Sequence, residues 1–281
     1  MENLENWSNT WLLKYHPEKC KHMNIARVEK TDEFKYKLSG KNIERFQKEK
    51  DIGITIDSEL TFESHICEKV NKATLIFGAL RRAFRYLDKK LFIPLYKKMV
   101  RTQLDYASSV WAQYKKKHID MIENVQKRAT KQIPGMKNLP YEERSRKLEL
   151  PTLSYRRLRG DMIEVYKIIQ GHYDPEASTI IKLMNDTEQR LITRTNSRKV
   201  VYNRANTNIR QNSFSIRIAK YWNKLPENIM NAPSINSFKN RLDKHWKDEQ
   251  MYYANYKADI SGSRVTYREI EEIQESGEEE P

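Results

Sequence analysis

The sequence predicts an α+β chain that is mostly helical, and three observations carry that expectation. Ile66, Val70, Ala73, Phe77, Leu80, Phe84 and Leu87 recur in steps of four and three, an apolar stripe over about six helical turns. Ile52 to Ile56 is a β-branched run of the kind that favours a strand. Near the C-terminus, Phe214, Ile218, Trp222 and Leu225 form one helical stripe. Ser234 is then placed to cap a second, made by Ile235, Phe238, Leu242 and Trp246.

The elements follow in order. Leu4, Trp7 and Trp11 share a face at helical spacing, so residues 1–14 read as the end of a helix. Residues 20–57 read as short strands: Phe34 to Leu38 alternates apolar and polar, and Ser39-Gly40 turns the chain. Helices are expected over about 66–87, 89–104, 118–133 and 154–170. Pro94 would kink or restart the second, and Pro134-Gly135 would end the third. The fourth would bury Leu158, Met162, Val165 and Ile169. Residues 174–212, rich in Asn, Thr and Arg, read as a basic linker or loop. A small helical unit over 213–250 and an acidic, disordered tail over 251–281 complete the chain. The division is therefore 1–60 with short strands, 61–173 helical and basic, then linker, small unit and tail.

Composition narrows the function classes. The chain has 281 residues and a formal net charge of +14, which points to a polyanionic partner. The charge is concentrated: residues 1–80 hold 13 basic and 13 acidic side chains, 81–160 hold 21 and 7, and 190–245 hold 12 and 2. Solvated helix faces are a poor account of two whole basic blocks, because like charges repel unless something neutralises them. Two cysteines, Cys20 and Cys67, cannot build a disulfide framework, so a nuclear or cytoplasmic setting is expected. No apolar run approaches the roughly 18 residues of a membrane span, so no membrane partner is expected.

Several ordered segments resemble non-LTR retrotransposon reverse transcriptases of the jockey-like kind. They are Trp7-Ser-Asn-Thr-Trp11 with His16-Pro-Glu-Lys-Cys20; Asp51-Ile-Gly-Ile-Thr-Ile-Asp57 with Leu60-Thr-Phe62 and His65-Ile66; and Tyr96-Lys-Lys-Met-Val-Arg101. Then come Leu104-Asp-Tyr-Ala-Ser-Ser-Val-Trp111, Glu123-Asn-Val-Gln-Lys-Arg-Ala129 and Tyr141-Glu-Glu-Arg144. Arg156-Arg-Leu-Arg-Gly-Asp161, Tyr166-Lys167, Tyr221-Trp-Asn-Lys-Leu-Pro226 and Phe238-Lys239 close the series. Thr102 stands where the family usually has Pro, and Ile52 where it usually has Leu. The resemblance covers about 1–245. It implies a palm-edge remnant with short strands, a helical thumb-like region and a small helical C-terminal unit. The implied chain lies downstream of the family's catalytic Tyr-x-Asp-Asp motif, and the sequence contains no Asp-Asp pair. In that reading it is expected to be inactive alone, with no cofactor and no small-molecule substrate of its own, since Mg²⁺ would belong to the missing palm. The expected partner is RNA or DNA template–primer. Two other readings stay open: a full RNA-directed DNA polymerase whose upstream half is absent from this sequence, and a basic helical protein-interaction module.

Candidate residues follow. No catalytic carboxylate is assigned. Lys19 matches a nucleotide-proximal lysine of the family, and Gly53 matches the glycine of its primer grip. For nucleic-acid binding, Arg81, Arg82 and Arg85 end the first long stripe, and Lys127, Arg128 and Lys131 lie off the apolar face of the third helix. Arg156, Arg157 and Arg159 open the fourth helix, where the positive end of the helix dipole makes three cations unfavourable unless an anion joins them. That anion is either a phosphate or an internal carboxylate, Glu142, Glu143 or Glu149. His16, Cys20, His22, His65 and Cys67 fit no standard zinc spacing, so no metal is expected.

Overall fold

The computed structural model describes residues 1–25, 35–84, 86–112, 114–184, 198–202 and 204–260. The chain is mostly helical α+β, and its backbone contacts divide it into two units, Met1–Glu68 and Lys69–Pro281.

The first unit begins with α1 (Glu2–Thr10), followed by a short 3₁₀ turn at Pro17–Lys19. Leu4, Trp7 and Trp11 are about half exposed, so the expected stripe exists but is not covered within this unit. Three two-stranded ladders follow. Strand β1 (Lys21–His22) pairs in parallel with β4 (Glu44–Arg45), while β2 (Lys37–Leu38) pairs antiparallel with β3 (Lys41–Asn42). Strands β5 (Lys48–Asp51) and β6 (Ile54–Asp57) form an antiparallel hairpin. Ser39 and Gly40 turn the chain as expected, both with positive φ.

The run Ile52–Ile56 is not one strand. Ile52 and Gly53 are the two residues of the β5–β6 turn, with φ of 43° and 75°. A two-residue hairpin needs left-handed backbone at both positions to match the twist of its strands. Gly53 adopts it freely, whereas a β-branched side chain at Ile52 is strained there. Ile52→Asn, which gives the preferred Asn-Gly pair, is expected to stabilise the hairpin by about 1 kcal/mol. The corresponding result is roughly fivefold slower amide hydrogen exchange across β5 and β6; unchanged or faster exchange would count against strain at this turn.

Beneath the hairpin, the Asp57 carboxylate accepts hydrogen bonds from the Thr61 amide (2.9 Å), the Thr61 hydroxyl (3.1 Å) and the Phe62 amide (2.7 Å). Those bonds lead the chain into α2 (Glu63–Ala83), whose buried His65 accepts from the Thr55 amide at 3.2 Å. The boundary between the units falls within this helix. Ile66, Ala73, Phe77 and Leu80 are buried as the stripe requires. The helix ends at Ala83, earlier than the stripe suggests, and Asp88 caps the next one by accepting from the Leu91 amide at 2.8 Å.

In the second unit, α3 (Lys89–Leu95) contains Pro94. A π-helical turn, Tyr96–Val100, follows it and leads into α4 (Arg101–Asp105). A proline inside a helix removes one donor and crowds the preceding turn, and a widened turn accommodates this. Then come α5 (Ser108–Trp111), α6 (Lys116–Thr130), α7 (Tyr141–Leu148) and α8 (Leu153–Ile169). After α9 (Pro175–Ser178), Leu183 bridges Val200 in antiparallel fashion, so part of the expected linker is paired. The last helices among the described residues are α10 (Asn208–Gln211), α11 (Phe214–Trp222), α12 (Glu227–Met230), α13 (Ile235–His245) and α14 (Gln250–Tyr253).

Helix α8 is the hub. It packs against α4, α5 and α6, and also against α11, α13 and α14. Met162, Val165 and Tyr166 share one core with Ile218, Trp222, Phe238, Leu242 and Trp246. The residues expected to form a separate C-terminal unit therefore complete the core of α8. Burying each of these large side chains contributes about 1.5–3 kcal/mol. Met251 and Ile260 are buried in the same core, so the first ten residues of the expected tail are folded; residues 261–281 lie outside the described residues.

Candidate nucleic-acid interface

Thr152 caps α8, its hydroxyl oxygen accepting from the Tyr155 amide at 3.2 Å. The cationic first turn does have its anions, and they come from within the chain. Glu123 of α6, fully buried, accepts from the Leu153 amide at 3.0 and 3.3 Å. Burial raises its pKa, opposed by the Tyr141 hydrogen bond and the charge of Arg157. Asp105 of α4 accepts from Arg156 at 3.0 and 3.2 Å through one oxygen. Asp243 of α13 holds Arg159 by two hydrogen bonds, 2.5 and 2.7 Å, and accepts from the Tyr155 hydroxyl at 3.0 Å. The Asp243 bonds raise the pKa of Arg159. Arg157 is buried, which lowers its pKa, while Glu123, Asp105 and Asp161 oppose the shift. These partners are not Glu142, Glu143 or Glu149; Glu142 instead pairs with Arg146 at 2.9 Å.

A buried polar chain supports this turn. The Tyr96 hydroxyl donates to Gln126 (3.0 Å), Gln126 donates to the Tyr141 hydroxyl (2.9 Å), and Tyr141 donates to Glu123 (2.5 Å). Arg144, almost fully buried, donates to the Thr130 hydroxyl and to the Leu139 and Lys127 carbonyls, closing the C-terminal end of α6 where a cation is favoured. One further internal pair spans the unit. Arg217 of α11 makes two hydrogen bonds to buried Asp161 of α8, at 2.9 and 3.1 Å, and donates to the Ser109 and Asn212 carbonyls.

The other candidates fall into two groups. Lys127 is half-buried: its ammonium donates to the Tyr256 hydroxyl at 3.0 Å and lies over the rings of Tyr256 and Tyr141. Tyr256 and Lys257 in turn bind Asp120, so the segment after α14 covers this side of α6. Arg81, Arg82, Arg128 and Lys131 are exposed, and among the described residues none of them is paired with a carboxylate. Arg81 and Arg82 sit in the last turn of α2, and Arg128 and Lys131 at the end of α6. Arg85 lies outside the described residues. In the first unit, Lys19 is exposed in its 3₁₀ turn and Gly53 lies at the hairpin tip. Arg101, which sequence reasoning did not single out, approaches Asp105 Oδ2 at 3.5 Å.

No protein-family profile matches the chain, and no solved structure matches it. Two curated proteins do. The chain is 25% identical over 157 residues to the RNA-directed DNA polymerase from mobile element jockey of Drosophila melanogaster. It is 27% identical over 139 residues to an uncharacterized protein of Caenorhabditis elegans. The first match covers 53% of this chain and 16% of the polymerase, and the second covers 48% of this chain and 70% of the nematode protein. The chain thus shares a stretch with a retrotransposon polymerase and spans about a sixth of its length.

No helix among the described residues is long and apolar enough to cross a membrane. Nor does any group of three or more His, Cys, Asp or Glu side chains gather among them in a way that could hold a metal ion.

Proposed function

We propose that this chain binds nucleic acid, its helical unit holding an RNA or DNA template–primer as the thumb and post-thumb part of a retrotransposon polymerase would. The reading assigns no nucleotidyl transfer to the chain's own residues. The observation that carries it is the set of exposed cations with no carboxylate partner among the described residues, Arg81, Arg82, Arg128 and Lys131, within a block of net +14. Like charges concentrated in one block repel, and a phosphate backbone relieves that repulsion. The stretch shared with the jockey polymerase supports the same partner class.

The test is fluorescence anisotropy with a labelled RNA–DNA duplex at several salt concentrations. Four phosphate contacts predict that log K falls against log salt with a slope of roughly −3 to −4. Absence of binding at low salt, or binding indifferent to salt, would overturn the proposal.

A further inference from the structure

The end of α2 sets exposed aromatic rings beside exposed cations. The Phe84 amide donates to the Leu80 carbonyl at 3.0 Å, so Phe84 continues the last turn of α2 beyond Ala83. Arg81 stands three residues before it, a spacing that puts two helical side chains on one face with Cβ atoms roughly 5–6 Å apart. Phe84 is 36% exposed and Tyr86 is 68% exposed, and among the described residues neither ring meets another aromatic ring. Leu87 is buried and Asp88 caps α3, so the stretch carrying Tyr86 is fixed at both ends. Rings held this way lose little freedom when a partner covers them. From Lys69 to Leu87 the sequence holds five Lys or Arg and no Asp or Glu, so the rings lie in a stretch of one sign of charge.

The cations suit any phosphate backbone, and the rings narrow the choice. In a duplex each base face is covered by its neighbours, whereas an unpaired base can lie on an aromatic side chain. An acidic polypeptide supplies the charge and no such face. We propose that Arg81, Arg82, Phe84 and Tyr86 form a platform for single-stranded nucleic acid, the arginines meeting its phosphates and the rings its bases. The inference rests on the nucleic-acid reading above and deepens it, by assigning this end of α2 to an unpaired stretch of the strand.

The experiment measures anisotropy of the full chain with three labelled probes at one low salt concentration: a single-stranded DNA, an abasic strand of equal length, and a blunt duplex. The base-bearing strand is expected to bind about tenfold more tightly than the abasic one, because only it can stack. Tyr86→Ala is expected to weaken binding of the base-bearing strand about tenfold and to leave the abasic strand and the duplex unaffected. Tyr86→Phe keeps the ring and is expected to bind as the wild type does. Tyr86 is exposed, so the unfolding midpoint of either variant should match that of the wild type. Equal affinity for the two single strands, or an unaltered strand affinity in Tyr86→Ala, would overturn the platform. So would polyglutamate that displaces the strand and loses affinity in Tyr86→Ala to the same degree. A duplex bound with no base dependence in the strands removes the platform and leaves the proposed function standing. A strand bound through Tyr86 with no duplex binding does the reverse, and no binding of any probe removes both.

Discussion

Replacing Asp161 by alanine is expected to cost about 3–5 kcal/mol, a large share of the 5–15 kcal/mol that holds a typical domain together. Asp161 is buried and receives two bonds from Arg217, which also satisfies the carbonyls of Ser109 and Asn212. Removing the carboxylate leaves a guanidinium at a protein junction with its charge uncompensated. The desolvation already incurred by the arginine, rather than the strength of the pair itself, sets the size of the loss. Urea unfolding followed by tryptophan fluorescence reads it out, because Trp111, Trp222 and Trp246 are buried in the second unit while Trp7 and Trp11 of the first are exposed. The double variant Asp161→Ala with Arg217→Ala is expected to cost less than the sum of the two singles. Additive costs would show that the two side chains act independently.

The second large effect concerns binding. Reversing Arg81, Arg82, Arg128 and Lys131 to glutamate is expected to lower duplex affinity at least about a hundredfold at low salt. It should also flatten the salt slope by roughly 3 to 4, while the unfolding midpoint falls only modestly, by the lost helix-dipole contribution of cations at two helix C-termini. Arg156→Glu with Arg157→Glu makes the contrasting pair. Arg157 is buried beside Glu123, and Arg156 is bonded to Asp105, so their reversal sets like charges together inside the unit. Those substitutions are expected to unfold the protein before they report on binding. Equal midpoints for the two variant sets would contradict the division into exposed and internal cations.

The contrast shows what could be read from residues alone. Periodicity located α2, α6, α8, α11 and α13, because an apolar stripe must be buried wherever the helix ends up. Ser234 was legible for the same local reason: its hydroxyl oxygen accepts from the Ser237 amide at 3.2 Å, three residues on. The β5–β6 turn was misread, since β-branched propensity at Ile52 points to a strand and only the pairing of Asp51 with Ile54 reveals the hairpin. The arginines of α8 were recognised as needing anions, yet their partners were out of reach of any local pattern. Asp105 lies 51 positions before Arg156, and Asp243 lies 84 after Arg159. Segments that carry the family resemblance supply much of this internal wiring. Asp57, Asp105, Glu123, Tyr141, Arg144 and Asp161 all hold one element to another.

The π-helical turn at Tyr96–Val100 sets the rotational phase of everything after it in that helix. Each residue in a helix advances the side-chain direction by roughly 100°. A π turn spends one more residue than an α turn, so losing one residue there would let the turn close to α geometry and keep the phase of α4, with Asp105 still facing Arg156 and Leu104 still buried. The π turn is thereby the place in this helix where one residue fewer is absorbed, whereas a deletion in the α-helical stretches beside it would rotate α4 by that angle. Substitutions at exposed Lys98 or Met99 can be absorbed as well.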